Sequence, residues 1–160
     1  MTKNLPKYIK NIANLSDEAE QKISTVFKRE EFLKGHFLYR QGEICQHIFY
    51  IEKGLVRVFY YTETGKEITQ WFFAEYGFLT AADSYYHHKP TLLNCELLED
   101  SVIYSLKYTD METMLNENHN MAKFAFHGLF SRRSTMFEKG VARKQVSFSQ
   151  ASKRITWYTI

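Results

Sequence analysis

Residues 47–77 read HIFYIEKGLVRVFYYTETGKEITQWFFAEYG. In this stretch, short runs of β-branched and aromatic residues are separated by glycines at positions 54, 65 and 77. Runs of this kind, bounded by turn residues at intervals of roughly 8–12 residues, are typical of antiparallel strands. Glu63-Thr64-Gly65-Lys66 has the composition of a hairpin turn, because Gly65 adopts a positive φ without steric strain. The stretch therefore predicts a sheet made of consecutive hairpins.

The same pattern of short apolar runs separated by glycines extends to both sides, from Glu31 to Leu106, with two further glycines at positions 35 and 42. No segment with a helical period interrupts it, so we expect the strands to pair antiparallel. The predicted fold class is α+β: an antiparallel β-roll (double-stranded β-helix or jelly roll) of eight strands in two sheets. Seven segments of the sequence are candidates for these strands: Phe32, 37–39, 48–51, 55–61, 68–73, 92–98 and 102–106.

Helical patterns flank the roll. Ser16 is a candidate N-cap, with Asp17 and Glu18 in the first turn, and it predicts a helix over residues 16–30. A short helix is predicted over Tyr108–Asn116 and a longer one over His119–Lys139.

The apolar stripe of the long helix is wider than one small roll covers, which favours a two-fold homodimer; the alternative is a helix that packs on its own roll. The predicted dimer-interface residues are Met121, Ala125, Leu129, Met136 and Phe137.

Composition limits the classes of function. The 160 residues are 44% hydrophobic and 24% charged, as in a folded domain, and no run of about 18 apolar residues predicts a membrane span. The N-terminus lacks the apolar stretch of a secretory signal, and there are only two cysteines, so we expect a reduced, cytoplasmic protein without membrane contact.

Residues 107–160 carry a net charge of +5, against −2 for residues 1–106. This surplus of positive charge is compatible with binding of a polyanion near the C-terminal end.

The order of these elements and glycines resembles the cyclic-nucleotide-binding domain of the Crp/Fnr family of bacterial transcription regulators. The resemblance covers residues 16–145 and rests on the five glycines with their flanks. The matching segments are Lys34-Gly35, Gln41-Gly42-Glu43, residues 48–54, Gly65-Lys66-Glu67, Tyr76-Gly77, Lys89-Pro90-Thr91 and residues 98–101.

In that family, a segment of the form Phe-Gly-Glu, then a short helix, then Arg-Ser/Thr-Ala binds the ribose and the cyclic phosphate. The resemblance places Phe78 where the Glu is expected and Thr91 where the Arg is expected. Each missing charge-assisted hydrogen bond forfeits about 1.5–3 kcal/mol, so we expect weak binding of cyclic nucleotides. A less anionic small-molecule effector would contact Gly77, Phe78, Leu79, Thr80, Ser84, Lys89, Pro90 and Thr91; the alternative is an empty, vestigial pocket.

Family regulators follow the long helix with a helix-turn-helix that reads DNA, and three helices need on the order of 40–50 residues. Only twenty residues follow Gly140, so we expect an incomplete DNA-binding domain. The predicted divisions are a helical lead-in (1–30), the roll (31–107), the short helix and dimerisation helix (108–145), and the beginning of the DNA-binding domain (146–160).

Two other functions remain open. Cys45, His47 and Glu52 resemble part of the first metal motif of a cupin enzyme, although the second histidine motif is missing around His87 and His88. A freestanding sensor or interaction module without DNA binding is the other alternative. The sequence shows no Ser/His/Asp set or carboxylate pair typical of a catalytic site. We therefore expect neither enzymatic activity nor a resident metal or cofactor.

Overall fold

The computed structural model describes residues 5–117, 120 and 136–138, and it confirms the antiparallel roll with flanking helices. The helices are α1 (Leu5–Ala13), α2 (Asp17–Val26), α3 (Ala82–His87) and α4 (Tyr108–Glu117). The strands are β1 (Lys28–Phe32), β2 (Phe37–Tyr39), β3 (His47–Lys53), β4 (Val56–Tyr61), β5 (Glu67–Phe73), β6 (Phe78–Leu79), β7 (Asn94–Leu97), β8 (Ser101–Lys107) and β9 (Met136–Glu138).

The strands form two sheets in which every described pair is antiparallel. The first sheet has the order β1-β8-β3-β6, and the second has the order β2-β7-β4-β5-β9. β4 and β5 are joined by the predicted hairpin, where the Gly65 N–H donates to the Thr62 carbonyl at 2.9 Å and Gly65 has a φ of +78°. Non-consecutive strand neighbours, such as β3 and β8, give the roll its closed, double-layered form.

Two hydrophobic cores lie on opposite faces of the first sheet. The roll core lies between the sheets and includes Phe49, Ile51, Val58 and Leu97. The helix-side core lies between the first sheet and helices α1, α2 and α4. Its members include Ile9, Ile23, Tyr50, Leu106 and Met114. Successive residues of a strand point to opposite faces, so β3 supplies both cores and is buried along almost its whole length.

The N-terminal prediction was correct at its start and wrong at its end. The Ala19 N–H donates to Ser16 Oγ at 3.2 Å, as expected of an N-cap. The helix stops at Val26 rather than at residue 30, because Lys28–Phe32 pairs with β8 as β1. The predicted boundary between residues 30 and 31 therefore falls inside β1. Helix α1 was not predicted, although Leu5 and Ile9 are fully buried.

Helix α4 confirms the short C-terminal helix to within one residue. The predicted helix over His119–Lys139 is wrong at its far end, because residues 136–138 form β9 and pair with β5. Sheet pairing, a long-range contact, outweighs local helical periodicity there. Among the predicted interface residues, Met121, Ala125 and Leu129 lie outside the described residues, and Met136 and Phe137 lie in β9. Their role at an interface stays a prediction.

Gly54 is the glycine on which the roll depends most directly. Its φ is +126°, and a Cβ added there would overlap the side chain of Ser101 at the start of β8. Gly42, with a φ of +90°, has no atom within 4 Å of such a Cβ. At the fifth predicted glycine turn the left-handed residue is Tyr76, with a φ of +69°, rather than Gly77.

We expect Gly54→Ala to destabilise the fold by about 3 kcal/mol, since it adds steric overlap to backbone strain. Gly42→Ala is the matched control: it adds strain alone and should cost about 1 kcal/mol. Urea denaturation of both variants measures the difference. Equal losses for the two variants would contradict the role assigned to the Gly54–Ser101 contact.

Candidate functional site

The candidate site is formed by two segments that face each other. We call residues 77–91 the cassette; it contains β6, α3 and the turn that leads into β7. We call residues 40–47 the facing loop; it connects β2 to the first residue of β3. The cassette is attached to the first sheet through β6, where Leu79 and Phe78 pair with Phe49 and Tyr50 of β3.

Two cassette hydroxyls are hydrogen-bonded to the facing loop. The Thr80 hydroxyl donates to the His47 carbonyl at 2.8 Å, and its oxygen lies 3.6 Å from the Cys45 sulfur. The Cys45 N–H donates to Ser84 Oγ at 2.9 Å, and Ser84 is almost fully buried. These bonds place the start of α3 directly against the facing loop.

Thr91 fastens the other end of the cassette to the same loop. Its N–H donates to the Glu43 carbonyl at 2.8 Å, and its carbonyl accepts from the Gly42 N–H at 2.8 Å. Its hydroxyl accepts from the Leu93 N–H at 3.1 Å, and the residue is buried. Thr80 and Ser84 thus contact the facing loop through their hydroxyls, and Thr91 contacts it through its main chain.

Phe78 and Leu79 do not share a surface. Leu79 is buried in the roll core, whereas Phe78 packs on the helix-side core, with its ring centroid 4.8 Å from that of Tyr50. The two residues are neighbours in a strand, so their side chains point to opposite faces. Of this predicted pair, only Leu79 faces the interior of the roll. Gly77, the residue before them, is buried in the connection to β6, where its carbonyl accepts from the Ile51 N–H at 3.0 Å.

The charged side chains of the cassette face solvent and pair with each other. Lys89 Nζ lies 2.7 Å from Asp83 Oδ2, and both side chains are more than half exposed. His87 Nε2 lies 3.7 Å from the other oxygen of Asp83. Pro90 is also exposed. Lys89 therefore neutralises a carboxylate of its own segment rather than presenting an unpaired cation to a ligand.

The start of the short helix offers a second candidate for the position of the family's glutamate. Phe78 follows Gly77, as the resemblance expects, and its assignment stays a prediction. The residue directly before α3, which begins at Ala82, is Ala81. Ala81 belongs to the roll core and Thr91 is buried, so neither carries a charged side chain.

Thiol and phenol groups line the interior beside the cassette. Tyr39, Cys45 and Cys95 are buried in the roll core. Burial raises the pKa of the Cys95 thiol and of the Tyr39 phenol well above their ordinary values. Both groups are therefore neutral at physiological pH, and Cys95 lacks the thiolate needed for nucleophilic chemistry. The interior offers weak hydrogen-bonding groups and apolar surface, without a net charge.

The cupin ligands are not brought together. The Cys45 sulfur donates to the His47 carbonyl at 3.4 Å, and the Glu52 carboxylate is 2.7 Å from Arg29 Nε, in an ion pair on the other side of the sheet. Among the described residues, no group of three or more histidine, cysteine, aspartate or glutamate side chains has the arrangement of a metal site. This geometry does not support the cupin interpretation.

Sequence reasoning missed the part that the facing loop plays. Cys45 and His47 were considered only as metal ligands, whereas they contact Thr80 and Ser84 through a backbone N–H, a sulfur and a carbonyl. Main-chain groups have no signature in the sequence, so these partners were not predictable from residue type. Ala81 was missed because its importance depends on where α3 begins.

Three comparisons were made with known proteins. The family model described as "Cyclic nucleotide-binding domain" matches residues 29–118. No curated protein matches the chain. Solved structures do match, and one is the sensor domain of the transcriptional regulator DNR from Pseudomonas aeruginosa. Its TM-score is 0.65 at 15% identity, with 98% of this chain and 99% of that chain covered.

Two longer proteins contain the same fold. The catabolite activator protein of Thermus thermophilus has a TM-score of 0.59 at 20% identity, with 68% of this chain and 51% of that chain covered. A regulatory subunit of a cAMP-independent protein kinase A from Trypanosoma cruzi, bound to guanosine, has a TM-score of 0.60 at 14% identity, with 76% and 43% covered. The matched region thus spans about half the length of these two proteins. At such identities the likeness establishes the fold.

Among the described residues, no helix is both long and apolar enough to cross a membrane.

We expect Ser84→Ala to lower the free energy of unfolding by about 1–3 kcal/mol, because it leaves the buried Cys45 N–H without its acceptor. Ser24→Ala is the matched control, since it removes an exposed hydroxyl that donates to the Glu20 carbonyl on α2. Its effect should stay within about 0.5 kcal/mol. Urea denaturation that gives equal values for the two variants would argue against a structural role for Ser84.

His47 makes the stability of the site depend on pH. Burial lowers the pKa of its imidazole, and nearby Lys107 lowers it further. The folded state therefore favours neutral His47, whereas the unfolded chain binds a proton near the ordinary pKa of about 6.5. The stabilisation is present above that value and is lost as the pH falls below it. We expect His47→Gln to reduce the fall in unfolding free energy between pH 7 and pH 5, measured by urea denaturation. An unchanged slope would show that other groups cause it.

Proposed function

We propose, on the basis that this chain belongs to the cyclic nucleotide-binding domain family, that it is the effector-sensing and dimerisation domain of a Crp/Fnr-like transcription regulator. The family membership rests on the match over residues 29–118. In this proposal the cassette binds a small-molecule effector, cyclic nucleotides bind weakly, and the chain acts by binding rather than by catalysis, in the cytoplasm.

One observation carries the proposal about the ligand: the cassette presents no unpaired charged side chain to the interior. Neither candidate for the first anchor position, Phe78 or Ala81, is charged, and Thr91 at the second is not. Lys89 pairs with Asp83 at the surface. A cyclic phosphate would enter without a guanidinium partner, and the ribose hydroxyls without a carboxylate. Losing both interactions removes about 3–6 kcal/mol, which corresponds to two or more orders of magnitude in affinity.

We infer that the effector is uncharged or weakly anionic. The Trypanosoma cruzi subunit, which shares the fold, is bound to guanosine, a ligand without a phosphate. Here the hydroxyls of Thr80, Ser84 and Thr91 would supply hydrogen bonds, and Leu79 would supply an apolar contact. The proposed binding set remains Gly77, Phe78, Leu79, Thr80, Ser84, Lys89, Pro90 and Thr91.

The regulator would function as a homodimer whose second domain binds DNA. The sensor domain that this chain matches along nearly its whole length belongs to the transcriptional regulator DNR of Pseudomonas aeruginosa. We propose that residues 146–160 begin the DNA-binding domain and that residues 108–145 carry the dimer interface. Both segments lie largely outside the described residues. Effector binding in the cassette would change the relative pose of the two copies and so the spacing of their DNA-reading helices.

A freestanding sensor module is the second candidate. The gene sequence beyond codon 160 separates the two candidates: a helix-turn-helix pattern supports the regulator, and its absence supports the freestanding module.

The ligand proposal is tested by introducing a glutamate and an arginine, the two charged residues that bind the ribose and the cyclic phosphate in the family pattern. We expect Ala81→Glu/Thr91→Arg to melt at a lower temperature than wild type without ligand, because two charges are placed in a buried site. Added cAMP should recover several degrees of that loss in a thermal-shift assay, whereas wild type should not respond. Titration calorimetry should show a gain in cAMP affinity of at least tenfold.

The matched control is Ala81→Gln/Thr91→Met, which has nearly the same side-chain volumes without the charges. It should not respond to cAMP. Guanosine and cGMP are included with both variants and with wild type. A wild-type response of several degrees to cAMP, abolished by Lys89→Ala or Thr91→Ala, would overturn the proposal that the cassette disfavours cyclic nucleotides.

A further inference from the structure

Two of the three non-glycine residues with a positive φ in the described part of the chain lie at the ends of one segment of the cassette. Tyr76, with a φ of +69°, directly precedes Gly77, and His88, with a φ of +51°, follows the last residue of α3. The third, Asn14, lies between α1 and α2. A left-handed backbone is disfavoured for residues with a Cβ, and most strongly for bulky ones. Backbone strain is therefore stored at both ends of residues 77–87, which we call the β6–α3 segment.

Hydrogen bonds to β3 impose the strain at Tyr76. The Tyr76 N–H donates to the Ile51 carbonyl at 2.7 Å, and the Ile51 N–H donates to the Gly77 carbonyl at 3.0 Å. These two bonds fix the chain before Tyr76 and after Gly77. Gly77 would adopt a left-handed conformation without strain, yet in this turn Tyr76 adopts it. Strained residues of this kind persist where the surrounding structure imposes them, and they concentrate at sites that bind or switch.

A contact with α4 accompanies the strain at His88. The imidazole lies nearly perpendicular to the ring of Tyr108, the first residue of α4, with ring centroids 4.6 Å apart and an interplanar angle of 84°. The Tyr108 N–H donates in turn to the Gln46 carbonyl of the facing loop at 2.9 Å. The left-handed residue after a helix is usually glycine, which carries no such strain. Both strained residues thus contact parts of the roll outside the β6–α3 segment.

Local hydrogen bonds hold the β6–α3 segment against the facing loop. The Thr80 hydroxyl and Ser84 Oγ each bond to one main-chain group of that loop. Bonds of this kind open without global unfolding, so the segment can separate from the loop while β3 and β8 stay paired.

We propose that Tyr76 and His88 are the hinges of the β6–α3 segment, and that their strain is released when this segment moves away from the facing loop. Strain raises the free energy of the closed arrangement alone, so it raises the population of the open one. Hinges are commonly residues at the ends of elements that absorb a change in φ and ψ. This inference deepens the proposed effector site and rests on it for its purpose, since an effector that prefers one arrangement shifts an equilibrium that already exists.

The test measures amide hydrogen exchange in the full chain without an effector, and it compares Tyr76→Gly with Tyr76→Ala. Both substitutions remove the aromatic ring, but only glycine removes the strain. Relief of strain in one left-handed residue changes an equilibrium by about fivefold or more. We therefore expect the Cys45 N–H, which donates to Ser84 Oγ, to exchange about fivefold more slowly in Tyr76→Gly than in Tyr76→Ala. His88→Gly and His88→Ala should differ in the same direction.

Asn14→Gly and Asn14→Ala are the matched control, because Asn14 also has a positive φ, +51°, but lies outside the cassette. The glycine variant should be the more stable of this pair in urea, with equal exchange of the Cys45 N–H. Equal Cys45 exchange within the Tyr76 pair or the His88 pair would overturn that residue as a hinge. Cys45 exchange that follows the Asn14 pair as closely as the Tyr76 pair would overturn both hinges, because the amide would then exchange through global unfolding.

No effector enters this test, so its failure is distinct from failure of the proposed function. The cAMP and guanosine measurements decide the ligand proposal whether or not the hinges are found.

Discussion

The pairing of β3 with β8 is the interaction on which the other parts of the structure depend. The two central strands share a register from His47 opposite Lys107 to Ile51 opposite Ile103. Their alternate side chains fill the roll core on one face and the helix-side core on the other. Without this pair neither the second sheet nor the helices would have a surface to cover. The steric fit of Gly54 against Ser101, at the start of β8, is part of the same constraint.

The candidate site is built around that pair by main-chain hydrogen bonds. β3 carries β6 on its free edge, and β6 leads into the cassette. The facing loop ends at His47, the first residue of β3, and reaches Thr80, Ser84 and Thr91 of the cassette through backbone groups. Any ligand that moves the cassette must therefore stretch or replace these bonds. The site is thus hydrogen-bonded directly to the central strand β3.

The charged side chains of the cassette lie at its surface. Lys89 and Asp83 form an ion pair in solvent. The buried groups beside the cassette, Cys95 and Tyr39, are kept neutral by desolvation, which raises their pKa values. These observations are the basis for proposing that the site does not select an anion. A search for the effector should therefore begin with uncharged compounds.

The alternating apolar pattern and the glycines at 35, 42, 54 and 65 were enough to predict the roll, its antiparallel sheets and the β4–β5 hairpin, and helical periodicity was enough to predict α4. These features depend on local chemistry: which residues tolerate positive φ and which face of a strand is apolar. Contacts distant in sequence decided the rest. Lys28–Phe32 became a strand because β8 offers an edge, and residues 136–138 became β9 because β5 does. Ala81 and the backbone of Cys45 entered the site because α3 begins at Ala82 and packs on the facing loop, and main-chain partners of this kind leave no pattern in residue type.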